Sequence, residues 1–260
     1  MTAEAAPAAG TDAVTRVRPG IELLLVLGVS LGQSAVYSIL SIIDKLTINT
    51  PLNQQTTSMN NSVVPDRPWL DLAYHVAGLV FPLVPALFAL YLLQRTGDRT
   101  RIGLDFRRPR FDLGWGFGLA AAIGIPGLAL YFAARAFGLN TNVEPANLAA
   151  NWWTVPVLVG AALMNGLLEE IVMIGFWFVR GRQLNWPVWV VLVSSAVVRG
   201  SYHLYQGFGG FLGNLAMGTV FAILYRRWGR VMPFLWAHLF IDATAFLGYY
   251  YLGGHVSWLP

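Results

Sequence analysis

The sequence predicts an all-α protein, a polytopic transmembrane bundle of about seven to eight helices. Three observations carry that expectation. The chain is 56% hydrophobic and only 12% charged, where soluble domains carry about 25% charged residues. Its apolar residues gather into runs of roughly 20, the length that crosses a bilayer. Its basic residues fall almost entirely between alternate runs, as the positive-inside rule requires.

Taken in chain order, residues 1–19 (MTAEAAPAAGTDAVTRVRP) are rich in Ala and Pro and predict a disordered cytoplasmic tail. They do not form a signal peptide, because the apolar run that follows is longer than an h-region and has no convincing cleavage site. Spans are expected near 21–43, 70–94, 112–137, 154–180, 186–205, 208–226 and 231–252. The connection 44–69 is polar and rich in Asn, Thr and Pro, hence a loop. The chain then divides into the tail 1–19, a first set of membrane helices and loops over 20–150, a region 151–252 that holds the unusual charges, and a C-terminal tail 253–260. No tandem repeat is visible. Gly209 and Gly213 form a GxxxG pair beside Asn214, the kind of small and polar set that joins helices in a membrane. Trp152, Trp153, Trp186, Trp189, Trp228 and Tyr249 to Tyr251 stand near span ends, where aromatic belts form.

If the seven spans alternate, Arg16, Arg18, the six arginines of 95–110, Arg180, Arg182, Arg226, Arg227 and Arg230 share one side. Lys45, Arg67 and Arg135 share the other, and Arg199 lies inside a span. This asymmetry predicts a multi-pass plasma-membrane protein with a cytoplasmic N-terminus and an external C-terminus. It also accounts for the net charge of +4 without nucleic acid as a partner; the bilayer is the partner. Cysteine is absent, which excludes disulfides, thiolate metal ligands and a cysteine nucleophile.

An ionisable residue at bilayer depth costs roughly 2.5–3.5 kcal/mol on insertion scales and usually marks function. Glu169, Glu170, Arg199, His203, His238 and Asp242 are six such residues within the last 110 positions. Glu22, Asp71 and His75 stand near span ends and read as interfacial, snorkelling groups. Arg199 with His203, and His238 with Asp242, are i,i+4 pairs and share a helix face. Adjacent Glu169 and Glu170 point about 100° apart, so one faces a cavity and the other a neighbouring helix. Arg199 is the cation available to them, and Asp242 is a second candidate partner for that cation.

A buried polar network that only joins helices would be built from Ser, Thr, Asn and small residues. Two glutamates, two histidines and an aspartate exceed that need. A carboxylate and a histidine can polarise water as a general base and then protonate a leaving amine. Neighbouring buried carboxylates separate base from acid roles. A second histidine oriented by an aspartate can stabilise an oxyanion or hold a metal. Other intramembrane proteolytic sets do not fit: Ser201 is only two residues before His203, Asp105 lies in the basic loop, and HExxH is absent.

LLEEIVMIGF, RGSYHLYQG and AHLFIDATAF resemble the three motifs of the CAAX-protease and bacteriocin-processing family of intramembrane glutamic endopeptidases (CPBP, or Abi). That pattern is a double glutamate followed by xxxR, then FxxxH, then HxxxN or HxxxD, and it covers roughly 154–246. The resemblance implies that Glu169 activates water with Glu170 as its supporting neighbour, that His203 shares the water, and that His238 and Asp242 bind the oxyanion. The region 151–252 would then be a CPBP-like catalytic region. The chain departs from the pattern twice: the motif arginine falls on Ile174 and the motif phenylalanine on Arg199. Arg199 is expected to supply from a neighbouring helix the charge that Ile174 lacks. The expected activity is endopeptidase cleavage of a membrane-associated protein or peptide. The alternative is an inactive relative acting as a peptide-binding, assembly or bacteriocin-immunity protein. No cofactor is expected; were a divalent metal used, Glu169, His203 and His238 would hold it. His203 and His238 would stand at opposite ends of fully crossing spans, which a re-entrant stretch over 206–214 would relieve.

Overall fold

The computed structural model describes residues 18–256, so the tail expected over 1–19 lies almost wholly outside the described residues and the tail 253–260 only partly within them. Helices form at every position where a span was expected. They are α1 (Pro19–Gly28), α2 (Leu31–Thr47), α3 (Pro68–Val80), α4 (Leu83–Arg95), α5 (Pro109–Ala136), α6 (Thr154–Glu169), α7 (Trp177–Gln183), α8 (Val188–Ser201), α9 (Phe208–Trp228) and α10 (Met232–Leu252). α1 and α2 meet at an angle of 49°, where the Ser30 hydroxyl donates to the Val26 carbonyl at 2.5 Å and so competes with the helical ladder.

Among the described residues, four helical units are long and apolar enough to cross a membrane: Pro68–Arg95, Pro109–Ala136, Thr154–Gln183 and Phe208–Trp228. The bent α1–α2 pair makes a fifth. The expected count of seven is therefore reached in helices but not in full spans. α8 has 14 residues, about 21 Å at 1.5 Å per residue, well short of a bilayer core of about 30 Å. α10 has span length, but its histidine, aspartate and tyrosines lower its hydropathy.

α6, a π-helical stretch over Glu170–Phe176, and α7 form one continuous unit. Its apolar window is 61% buried, against 11–33% for the other three spans, so this unit is the centre of the bundle. α4, α8, α9 and α10 pack around it, and α5 closes on α9 and α10. A π-helical stretch breaks the regular i→i−4 ladder and is often found at functional sites. Here the neighbouring α8 compensates: the buried Ser195 hydroxyl donates to the Met173 carbonyl at 2.8 Å.

The stretch 206–214, where re-entry would relieve the separation of the histidines, is a turn followed by regular helix from Phe208. The compensation lies in α8, which stops early, and in the turn after it. Gly207 has φ +118°, and a Cβ there would lie 2.6 Å from the Asn140 Cα; glycine permits both the conformation and the approach. Gly209 and Gly213 of the GxxxG pair face Ala134 and Leu130 of α5.

The polar connections are ordered into a cap over one end. β1 (Thr56–Ser58) pairs in parallel with β2 (Asn142–Glu144). Asp71 is buried and accepts from the backbone N–H groups of Val63 and Val64 at 2.7 and 3.0 Å. His75 stands 3.6 Å from it. Asp71 is therefore a buried anchor for the loop and not a snorkelling group.

At the opposite, basic end two further expectations are corrected. Arg180 is buried and pairs with Glu22, so Glu22 is an internal counter-ion and Arg180 is not a free topological charge. Arg230 is likewise buried, held by Asp112 at 2.7 Å and Asp105 at 3.0 Å. Of the aromatic residues read as interfacial, Trp152, Trp189 and Tyr251 are exposed, whereas Trp153 is core.

The π-helical stretch gives a direct test. Ser195→Ala removes the donor to a buried carbonyl and should cost about 1–3 kcal/mol, read as a lower melting temperature of the detergent-solubilised protein. Ser201→Ala, whose hydroxyl only returns to the Val197 carbonyl of its own helix, should leave melting nearly unchanged.

Candidate active site

Glu169 is the last residue of α6 and Glu170 the first of the π-helical stretch, about midway along the 30-residue central unit. Both are buried, Glu170 completely. From α8, Arg199 enters between them with no exposed surface. Its Nη2 donates to Glu170 Oε1 at 2.7 Å, and its Nη1 stands 3.4 Å from Glu169 Oε2. The two adjacent carboxylates thus reach two nitrogens of one guanidinium. The fork of an arginine suits this task, since its donors are fixed in a plane.

The approach of Arg199 depends on its neighbours. Gly218 of α9 lies under it, where a Cβ would come within 3.0 Å of Arg199 Cδ. The Phe221 ring faces the guanidinium carbon at 5.6 Å, a favourable contact for a desolvated cation. Ile174, at the position of the missing motif arginine, is fully buried in the apolar core.

α10 closes the other side. His238 Nδ1 meets Glu170 Oε1 at 2.8 Å, and its Nε2 faces Asp242 Oδ2 at 3.6 Å. Both ring nitrogens thus face carboxylates. Asp242 is not the partner of Arg199; it accepts from Asn165 Nδ2 at 2.8 Å. His203, two residues beyond α8, places Nδ1 3.0 Å from the Arg199 carbonyl. A carbonyl can only accept, so Nδ1 carries the proton in that contact and Nε2 is left as the acceptor. His203 lies within Coulombic range of Glu169, His238 and Asp242.

The structure therefore brings Glu169, Glu170, Arg199, His238 and Asp242 into one connected cluster, with His203 at its edge. The feared separation of the two histidines is absent, because α8 ends within the bundle. Sequence reasoning missed two members. Tyr202 is buried and donates its hydroxyl to Glu169 Oε2 at 2.6 Å; it sits next to His203 and three residues after Arg199, and that spacing was the available signal. Asn165 stands one turn before Glu169, and its i,i+4 spacing was visible but unremarked.

The metal question turns on donors. Glu169, Glu170 and His238 offer ligand atoms within 4.8 Å of one another, whereas the set expected for a metal was Glu169, His203 and His238. Yet Glu170 Oε1 already accepts from Arg199 and from His238 Nδ1, so a fixed guanidinium stands where a metal's charge would. With that oxygen taken, the set does not fit a metal. Among the described residues Glu170 Oε2 and Arg199 Nε and Nη1 make no hydrogen bond, which leaves polar capacity of the kind a bound water satisfies.

The ion pair gives a stability test. Arg199→Met should cost about 3–5 kcal/mol, because it leaves buried carboxylates without their cation. Adding Glu170→Gln should recover part of that loss. Thermal unfolding of the single and double variants in detergent measures both.

Residues 151–244 match the protein-family model described as Type II CAAX prenyl endopeptidase Rce1-like. No curated protein and no solved structure matches the chain. The matched stretch includes the double glutamate, His203, the His238–Asp242 pair and every charged member of the cluster, and it is similar to that family over these residues.

Proposed function

We propose that this chain is an intramembrane endopeptidase that hydrolyses a peptide bond in a membrane-associated protein or peptide. The observation that carries the reading is the convergence of Glu169, Glu170, Arg199 and His238 midway along the central span, with His203 beside them. Its family match gives the reaction class. No residue points to recognition of a prenyl group.

In the proposed reaction Glu169 takes one proton from a water while the water oxygen bonds to the scissile carbonyl carbon. His203, with Nε2 free to accept, holds the other side of that water. Tyr202 donates to Glu169 Oε2 and fixes the carboxylate's orientation. Glu170 does not touch the water: paired with Arg199 and His238, it holds both in place, and Arg199 offsets one of the two negative charges. Collapse of the tetrahedral adduct breaks the C–N bond, and the proton held by Glu169 passes to the leaving amine. The products are a carboxylic acid and an amine. Arg199 thus takes the part that an arginine at position 174 would take, reached from α8.

The basic clusters argue for a cytoplasmic N-terminus in the plasma membrane, and the capped end with β1 and β2 then faces outward. Protein N-termini should be compared between membranes carrying the wild-type chain and membranes carrying Glu169→Ala or His203→Ala at matched expression. General acid–base groups contribute about 10²–10⁴-fold, so each variant should abolish termini formed by the wild type. Identical termini in all three membranes, with both variants still complementing a deletion, would favour a binding or immunity protein instead.

A further inference from the structure

Amide hydrolysis needs more than a base. Negative charge develops on the carbonyl oxygen, and N–H donors set in advance around that point typically contribute 10²–10³-fold each. Most donors of the cluster are already committed. The guanidinium of Arg199 is turned to the two glutamates, the Tyr202 hydroxyl donates to Glu169, and His203 Nδ1 meets a backbone carbonyl. Asp242, when ionised, has no proton to donate.

Besides the fully buried Nε and Nη1 of Arg199, two donors converge on one oxygen. Asn165 Nδ2 reaches Asp242 Oδ2 at 2.8 Å, and His238 Nε2 faces the same atom at 3.6 Å. An anionic oxygen approached by an amide N–H and, with Nδ1–H given to Glu170, by the Nε2–H of an imidazolium has the surroundings that an oxyanion requires. Asn165 lies one helical turn before Glu169 on the same face of α6, so the amide stands beside the proposed base. Asn165 is half-buried, and among the described residues its side-chain amide makes one hydrogen bond. A primary amide has two N–H groups, so one remains for a substrate.

We propose that Asn165 is a catalytic residue that binds the substrate oxyanion together with His238, and that Asp242 is a positioning residue that orients both donors. The inference rests on the proteolytic reading given above. As the water oxygen bonds to carbon and Glu169 takes its proton, the carbonyl π electrons move onto oxygen. The resulting O⁻ accepts from Asn165 and His238. When C–N breaks, that electron pair returns to the carbonyl and the nitrogen takes the proton from Glu169.

The test exchanges the two groups across their own hydrogen bond. Membranes are prepared at matched expression, and the initial rate of forming Glu169-dependent N-termini is measured. Asn165→Leu, similar in size but without an N–H, should slow this by about 100-fold or more. Asn165→Asp, which sets two carboxylates against each other, should be at least as slow. Asn165→Asp combined with Asp242→Asn restores one amide and one carboxylate at the same contact, and should return to within about tenfold of wild type. Melting temperatures of all variants separate lost folding from lost rate. An Asn165→Leu protein that works at the wild-type rate overturns the assignment and leaves the protease reading intact. A double variant that melts like wild type yet stays as slow as Asn165→Asp overturns it too. Wild-type membranes without Glu169-dependent termini overturn the protease reading, and this assignment with it.

Discussion

Arg199 buried against Glu170 is the interaction around which the rest of the molecule is arranged. A guanidinium with no exposed surface in an apolar bundle is costly unless its charge is matched and its donors are met. One carboxylate does not meet a five-donor fork. Glu169 and Glu170 together come closer to doing so, and that demand sets several features at once. The central helix changes to π-helical geometry at Glu170, α9 carries glycine at 218 where any side chain would displace the arginine, and Phe221 turns its ring toward the cation. The core around Ile174 is then free to remain apolar.

Much of the architecture was legible because hydropathy is a local property. Every helix stands where an apolar run stands, and the polar stretch 44–69 is mainly loop, with only a short helical turn and a three-residue strand. The six unusual charges were equally legible, because each is expensive in its own segment. What could not be read was pairing across distance. Glu22 and Arg180 each resembled an ordinary span-end charge; only the packing of α1 on α7 makes them partners. Asp71 looked exposed because the loop it anchors has no hydropathic signature. The length of α8 was misjudged for a related reason: the aromatic and polar residues after Ser201 (YHLY) were counted into the span, but the chain turns there, where Gly207 and the cap hold it.

The double glutamate and the two histidines stand in the order that the CAAX-protease resemblance requires. Position 174 holds a buried isoleucine, and the cation beside the two glutamates comes from α8; that geometry could only be judged once both helices were seen together. Asn165 lies outside the three motifs, and Tyr202 falls on a position that the FxxxH pattern leaves unspecified. They were invisible to motif reading because their importance comes from what faces them.

The cap has a consequence for how the molecule comes into being. Lys45, at the end of α2, donates from Nζ to the Tyr205 carbonyl at 2.6 Å, across 160 positions of sequence, and the Thr141 hydroxyl donates to the Gln206 carbonyl at 2.9 Å. The turn after His203 is thus fastened to segments made long before it during synthesis. Contacts of such separation form late, since loop closure precedes their reward. A ribosome-bound chain that has inserted only its first five helices has yet to make His203 and His238, and the stretch holding all three motifs lacks the Lys45, Ser38 and Thr141 partners of its histidine turn. Competence therefore arrives only with the finished polypeptide, a safeguard in time for a protein whose proposed chemistry is the cutting of other chains.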